Sequence, residues 1–166
     1  MSRALNVLFL CTGNTARSIM AEAILNHESA GRFRAFSAGS HPKGRVHPLS
    51  LEHLAAEGIS TEALRSKSWD EFAEPDSPAM DIVITVCDSA ASEVCPVWPG
   101  APITAHWGIA DPAELGPDRQ PEAFAIAFAS LKTRIDRLLA LPIDDMSDEA
   151  LAASLRAIGM TEPSVG

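Results

Sequence analysis

Cys11 lies where an apolar run ends and a short polar loop begins, in the stretch LNVLFLCTGNTARS (residues 5–18). Positive charge nearby lowers the pKa of a thiol and makes it a nucleophile at neutral pH. The intervening TGNTA has no bulky side chain, so consecutive backbone N–H groups can curl around one tetrahedral anion. Gly13 and Asn14 are best able to take the positive φ of such a curl. The stretch therefore predicts a nucleophilic Cys11 at the mouth of an oxyanion-binding loop.

The residues after Cys11 supply the groups that an oxyanion needs. The planar guanidinium of Arg17 can bind two oxygens at once, and Ser18 can hydrogen-bond the sulfur. The alternative is a structural Cys11 beside a tight turn, with Arg17 in a surface ion pair. The predicted oxyanion-binding loop consists of Thr12, Gly13, Asn14, Thr15, Ala16 and Arg17.

Alternating strands and helices are expected to position this loop. Apolar runs predict strands over 5–10, 33–38, 80–87 and 103–106. Helices are predicted over 18–28, over 48–58, as one turn capped by Ser68, and between Pro121 and Pro142. This order favours a single-domain α/β fold, a parallel sheet of about four strands with helices on both faces. Cys11, Cys87 and Asp111 follow apolar runs, and ligands bind at the carboxyl ends of such strands.

The end of the chain predicts one further helix. Ser147 can cap it, and Leu151, Leu155 and Ile158 form one apolar face. That face either packs on the domain or makes a dimer contact, so we expect a monomer or a weak dimer. We divide the chain into a domain over 1–142 and an extension over 143–166.

Composition excludes several classes of protein. The 166 residues carry 13 basic and 22 acidic side chains, a net charge of −9, without a basic cluster for nucleic acid. No apolar stretch is long enough to span a membrane, and the N-terminal run favours a first strand over a signal peptide. Three cysteines, in a chain for which we expect no signal peptide, indicate a protein of the reducing cytoplasm.

The stretch CTGNTARS resembles the active-site loop of low-molecular-weight protein tyrosine phosphatases and of the arsenate reductases built on the same fold. The resemblance extends from about Leu5 to Leu141. It implies that Cys11 is the nucleophile and that the loop amides and Arg17 hold the oxyanion. It also implies that Asp111, in HWGIADPAE, is a general acid that protonates a departing oxygen.

Two more thiols, Cys87 and Cys95, distinguish a reductase from a phosphatase, which needs none beyond Cys11. The resemblance implies a relay of thiolates. Cys11 attacks arsenate, and Cys87 then attacks the Cys11 sulfur and releases arsenite. Cys95 finally attacks Cys87, which frees Cys11 and leaves a Cys87–Cys95 disulfide. The resulting disulfide would be reduced by thioredoxin, or by glutaredoxin with glutathione. Seven residues separate the two cysteines, one more than in the thioredoxin-coupled members of the family, so both reductants stay open.

Two other functions remain open: a phosphatase that hydrolyses phosphoesters through Cys11, and a redox or oxyanion sensor without turnover. The absence of tyrosine favours a small inorganic substrate, arsenate or phosphate, over a phenyl ring. Trp98 and Trp107 either offer aromatic surface or are buried.

Metal and cofactor sites are not expected from the residues themselves. The five histidines form no pair at metal-ligand spacing joined to a carboxylate or cysteine pair, so we reject a zinc site, and we expect no cofactor. The resemblance suggests one ion, a potassium bound by Asn14, Glu22, Ser37 and Asp70.

Overall fold

Four parallel strands form the sheet that carries the loop. A computed structural model of the chain describes residues 4–86, 102–114 and 116–160. The strand order is β2-β1-β3-β4, and every neighbouring pair is parallel. The strands are β1 (Leu5–Cys11), β2 (Phe33–Gly39), β3 (Ile82–Thr85) and β4 (Ile103–His106). The predicted parallel sheet is confirmed, and the strand predicted over 80–87 is shorter than expected.

Helices connect and cover these strands. They are α1 (Arg17–Glu28), α2 (Pro48–Ala56), α3 (Gln120–Leu139) and α4 (Asp148–Gly159). Three 3₁₀ helices accompany them, at Trp69–Phe72, Pro112–Glu114 and Ile143–Asp145. Ser68 caps the first by accepting from the Asp70 N–H, and Gly58 follows α2 with a φ of 76°. Ser68 therefore marks the start of this 3₁₀ helix and Gly58 the end of α2, as the sequence predicts.

The two faces of the sheet are covered differently. Val7 and Phe9 of β1 point into a large apolar cluster to which all four helices contribute. Leu8 and Leu10 point to the opposite face, into a smaller cluster with Trp69 and Phe72 of the 3₁₀ helix. β1 lies between β2 and β3 and is buried on both faces, as its unbroken apolar run predicts.

Helix α4 packs on the domain's own surface. Leu151, Leu155 and Ile158 are buried, and the Ser147 side chain accepts from the Ala150 N–H. Trp107, which follows β4, is fully buried and donates its Nε1–H to the Leu155 carbonyl at 2.9 Å. The apolar face of α4 is thus covered within the chain, and Trp107 offers no surface to a ligand. Trp98 lies outside the described residues.

No helix within the described parts of the chain combines the length and the apolar character that a membrane crossing requires.

Candidate active site

The loop between β1 and α1 is fixed by hydrogen bonds that its carbonyl oxygens accept from a neighbouring segment. The Thr12, Gly13 and Thr15 carbonyls accept backbone N–H groups from the segment 41–47 at 2.9–3.1 Å. No described peptide bond is cis, and across a trans bond the following N–H points opposite to the carbonyl. The amides of residues 13, 14 and 16 therefore face away from that segment, toward the concave side of the loop. This is the arrangement that an oxyanion cradle requires.

Hydrogen-bond donors converge on the Cys11 sulfur. The Asn14 N–H donates to Sγ at 3.2 Å, and the Ser18 hydroxyl lies 2.8 Å from it. Helix α1 begins at Arg17, and Ala16 before it provides no side-chain cap for its first amides. Donors and a helix N-terminus both stabilise negative charge on sulfur. The arrangement suits a thiolate.

Asn14 organises the interior of the loop. It is fully buried, and its φ of 49° is the left-handed backbone expected of the loop. Its Oδ1 accepts the Lys67 N–H at 2.9 Å, which fixes the amide orientation because a backbone N–H can only donate. Its Nδ2 then donates to Ser18 Oγ at 2.8 Å and to Ser37 Oγ at 3.1 Å. The expectation that Gly13 also takes positive φ is wrong, since Asn14 alone makes the turn.

Gly39 allows β2 to approach the loop closely. It pairs with Cys11 in the sheet, and a Cβ atom placed on it would lie 2.5 Å from the Thr12 carbonyl oxygen. Any side chain at this position would displace the loop, so glycine is required by contact and not by an unusual φ.

Arg17 joins the loop to the segment that carries the predicted acid. Its Nη1 donates to the Ile109 carbonyl at 2.9 Å, and its Nη2 lies 3.6 Å from Asp111 Oδ2. The other carboxylate oxygen of Asp111 accepts the Ala113 N–H at 2.9 Å, at the start of a 3₁₀ helix. The Asp111 side chain is 30% exposed, so it is open to solvent. Two predicted site residues, 94 positions apart, thus lie in contact.

Most of the chain matches the model of one known family. The model of the low molecular weight phosphotyrosine protein phosphatase family matches residues 6–153 of this chain. The chain belongs to this family. An arsenate reductase of Bacillus licheniformis is 33% identical over 120 residues, which are 71% of this chain and 82% of the relative.

Solved structures agree with this family assignment. An arsenate reductase from Archaeoglobus fulgidus has 32% identity and a TM-score of 0.64, over 81% of this chain and 99% of that one. A thioredoxin-dependent arsenate reductase from Corynebacterium glutamicum has 28% identity and a TM-score of 0.60, over 82% of this chain. The chain spans 61% of that Corynebacterium protein, which is less than two thirds of its length.

Cys87 and Cys95 lie outside the described residues. Val86, the residue before Cys87, donates its N–H to the Leu10 carbonyl at 2.8 Å. The described chain therefore reaches position 86 beside the residue that precedes Cys11.

The residues suggested for potassium do not fit that ion. Asn14, Glu22 and Ser37 are buried and lie in one network, but Asp70 is an exposed residue of the 3₁₀ helix. The buried ammonium of Lys67 lies 3.7 Å from Glu22 Oε1. A second cation at this carboxylate would be repelled by that ammonium. The described residues also hold no group of three or more His, Cys, Asp or Glu side chains able to bind a metal.

Burial is the largest influence on the pKa values of Glu22 and Lys67. It raises the pKa of the Glu22 carboxyl, and Lys67, followed by the Ser37 hydroxyl, opposes that rise. It lowers the pKa of the Lys67 ammonium, and Glu22 opposes that fall. Each group thus supports the charged form of the other.

Two further residues of the site carry little signal in the sequence. Arg134 of α3 is 4% exposed and donates from Nη1 to the Gly108 carbonyl at 3.1 Å, which anchors the segment before Asp111. Its signal is a basic residue within the apolar stripe of α3. Lys67 stands between two serines in a polar segment, where nothing distinguishes it from a surface lysine.

Proposed function

We propose that this protein is an arsenate reductase in which a thiolate relay reduces arsenate, so that the oxidation passes from Cys11 through Cys87 to Cys95. The observation that carries the proposal is the Cys11 sulfur, held by the Asn14 N–H and the Ser18 hydroxyl where the loop amides face inward. The names of the relatives support arsenate as the oxyanion. The two additional thiols in the sequence support reduction in preference to hydrolysis.

The first step forms a sulfur–arsenic bond. The Cys11 thiolate attacks arsenate, the loop amides and Arg17 neutralise the oxyanion charge, and Asp111 protonates the oxygen that leaves. The contact of Arg17 with Asp111 supports this division of roles, because the acid then stands beside the group that binds the anion.

The next steps move two electrons. The Cys87 thiolate attacks the Cys11 sulfur, the electron pair of the sulfur–arsenic bond passes to arsenic, and arsenite leaves. Cys95 then attacks Cys87, which releases the Cys11 thiolate and forms a Cys87–Cys95 disulfide. The hydrogen bond from Val86 to Leu10 supports the first exchange, because Cys87 follows a residue held beside the end of β1.

The disulfide requires an external dithiol from a reducing compartment such as the cytoplasm. The thioredoxin-dependent relative favours thioredoxin, and glutaredoxin with glutathione is the other candidate. Phosphoester hydrolysis through a phosphocysteine on Cys11 is the second candidate function. The family name and the loop with Asp111 favour it, since these parts alone suffice for hydrolysis.

The test is arsenate-dependent oxidation of NADPH, with thioredoxin and its reductase, or glutaredoxin with glutathione and its reductase, supplied separately. Turnover with one system supports the proposal and identifies the reductant. Hydrolysis of an aryl phosphate without arsenate turnover in either system would instead support the phosphatase.

A further inference from the structure

The buried carboxylate of Glu22 belongs to the hydrogen-bond network of Cys11, although it is remote from the sulfur. Asn14 Nδ2 donates to Ser37 Oγ, so the hydroxyl hydrogen of Ser37 is directed to Glu22 Oε1. The same Nδ2 group donates to Ser18 Oγ, which leaves the Ser18 hydroxyl hydrogen for the Cys11 thiolate. Glu22, as the acceptor of the Ser37 hydroxyl hydrogen, fixes the Ser37 end of this order.

An unpaired carboxylate in this position would not stay charged. The Glu22 side chain is 10% exposed, and a buried carboxylate without a counter-charge takes up a proton. A protonated Glu22 can donate to Ser37 in place of accepting from it. The Ser37 hydroxyl hydrogen would then lose its acceptor and could rotate toward Asn14 Nδ2, which would weaken the donor order that directs Ser18 to the sulfur.

Lys67 is the cation that the structure provides. Its side chain is 7% exposed, its Nζ lies 3.7 Å from Glu22 Oε1, and the Arg65 carbonyl accepts from it at 2.9 Å. The other charges around it form a pair of their own, because Arg65 Nη2 lies 2.6 Å from Glu71 Oε1. The backbone N–H of Lys67 also orients Asn14. One residue therefore contacts both ends of the network.

We propose that the ammonium of Lys67 takes the place of a bound monovalent cation at Glu22, and is a positioning residue for the Cys11 thiolate. The protein is then independent of potassium, in contrast to the ion that the resemblance suggests. The inference rests on Cys11 being the reactive thiol of the proposed function, but its readout needs no substrate.

A surface cavity makes the proposal testable by ion rescue. Glu22 and Lys67 both line an open cavity of about 730 Å³, together with Arg34, Arg65 and Glu71. An ion in solvent can therefore reach Glu22 once the ammonium has been removed. Potassium can be bound directly by the carboxylate oxygens, whereas the methyl groups of tetramethylammonium keep its charge farther from them.

The experiment measures the pH profile of Cys11 alkylation by iodoacetamide, in potassium or tetramethylammonium chloride of equal ionic strength, with the label located by mass spectrometry. The wild type should give the same profile in both salts. In tetramethylammonium the midpoint of the Lys67→Met profile should rise by about one pH unit, which lowers the rate about tenfold at a pH below both midpoints, and potassium should restore it. Lys67→Arg keeps the charge and should stay close to the wild type.

Lys132→Met is the matched control, because Lys132 also pairs with a glutamate, Glu28 at 2.7 Å, but lies on an exposed helix face. If Lys67→Met does not fold, the double variant Glu22→Gln/Lys67→Met removes both charges, and its profile should be the same in both salts because a neutral amide has no charge for potassium to balance. Three results would overturn the inference: a wild type that needs potassium, an unchanged profile in Lys67→Met, or a double variant that still responds to potassium. Label on another cysteine would count against the proposed function instead.

Discussion

The acidity of one thiol depends on a few hydrogen bonds whose directions are fixed by their partners. A backbone N–H from Lys67 sets the orientation of the Asn14 amide, and that amide leaves the Ser18 hydroxyl free to donate to Cys11. Because the Asn14 N–H and the Ser18 hydroxyl are both directed at Sγ, the network favours negative charge at the sulfur. The loop thus prepares the nucleophile before any oxyanion binds.

Removing the Ser18 hydroxyl should make Cys11 less acidic. A hydrogen bond to a charged group contributes about 1.5–3 kcal/mol, so Ser18→Ala should raise the pKa of the Cys11 thiol by about one unit or more. The pH profile of alkylation at Cys11 measures this shift. Ser29→Ala is the control, because that buried hydroxyl donates to the Phe33 carbonyl, outside the loop. An unchanged profile in Ser18→Ala would show that the Ser18 hydroxyl does not stabilise the Cys11 thiolate.

Replacing Arg17 by lysine should impair both anion binding and acid positioning. A single ammonium cannot hold an oxyanion, the Ile109 carbonyl and Asp111 in the geometry of a guanidinium. We expect arsenate turnover to fall by about 100-fold or more, the usual cost of losing an oxyanion donor. Phosphate should also no longer protect Cys11 from alkylation.

Arg32→Lys tests whether that loss is specific, since Arg32 donates to the Leu139 carbonyl on an exposed part of the surface. Activity of Arg17→Lys equal to that of Arg32→Lys would contradict the role given to Arg17.

The sequence predicts contacts within the loop better than contacts across the fold. Cys11 and Ser18 are seven positions apart on a strand and the helix that follows, so a local pattern places them together. Lys67 reaches Asn14 over 53 positions and Arg134 reaches Gly108 over 26. Such contacts depend on how distant segments pack, which no local spacing encodes.

At the scale of elements, the loop is shaped by the strand beside it as much as by its own residues. β1 and β2 pair along their whole length and end together at Cys11 and Gly39. Segment 41–47, which follows β2, then holds the loop carbonyls. The strands and helices are predictable because their apolar periods are regular, but the role of segment 41–47 is not, because it is an irregular loop.

A methyl group at position 39 should distort the oxyanion loop without removing any of its side chains. Gly39→Ala places Cβ against the Thr12 carbonyl, a backbone atom that cannot rotate away. We expect phosphate binding, measured by calorimetry, to weaken by at least about tenfold while the circular dichroism spectrum is retained.

Gly116→Ala is the matched glycine variant, because its Cβ would meet only the flexible Asp118 side chain, at 3.2 Å. Equal phosphate affinity in the two alanine variants would show that close approach at Gly39 is not needed.

At the scale of the whole molecule, helix α4 completes the core at the β4 edge. Gly159 lies so close to the His106 carbonyl that a Cβ atom has no space there, and the Trp107 indole bonds to the Leu155 carbonyl. The sequence predicted the apolar face of this helix, although not which of two surfaces it covers. That choice depends on the shape of the β4 edge.

Loss of this packing should destabilise the protein. Leu155 is fully buried, so Leu155→Ala should lower the free energy of unfolding by about 2–5 kcal/mol, as measured by urea denaturation. Ile126→Ala is the comparison, because Ile126 is 55% exposed and should contribute little. A similar loss in both variants would contradict the packing of α4 as part of the core.

The thiolate relay from Cys11 through Cys87 to Cys95 is tested most directly by a single-turnover experiment with Cys95→Ser. Without Cys95 the first two thiol steps still proceed, so one equivalent of arsenite should form per enzyme before the protein stalls. Mass spectrometry should then find a disulfide between Cys11 and Cys87, whereas Cys87→Ser should release no arsenite. Repeated turnover of arsenate by both variants would contradict the relay and leave a mechanism that uses Cys11 alone.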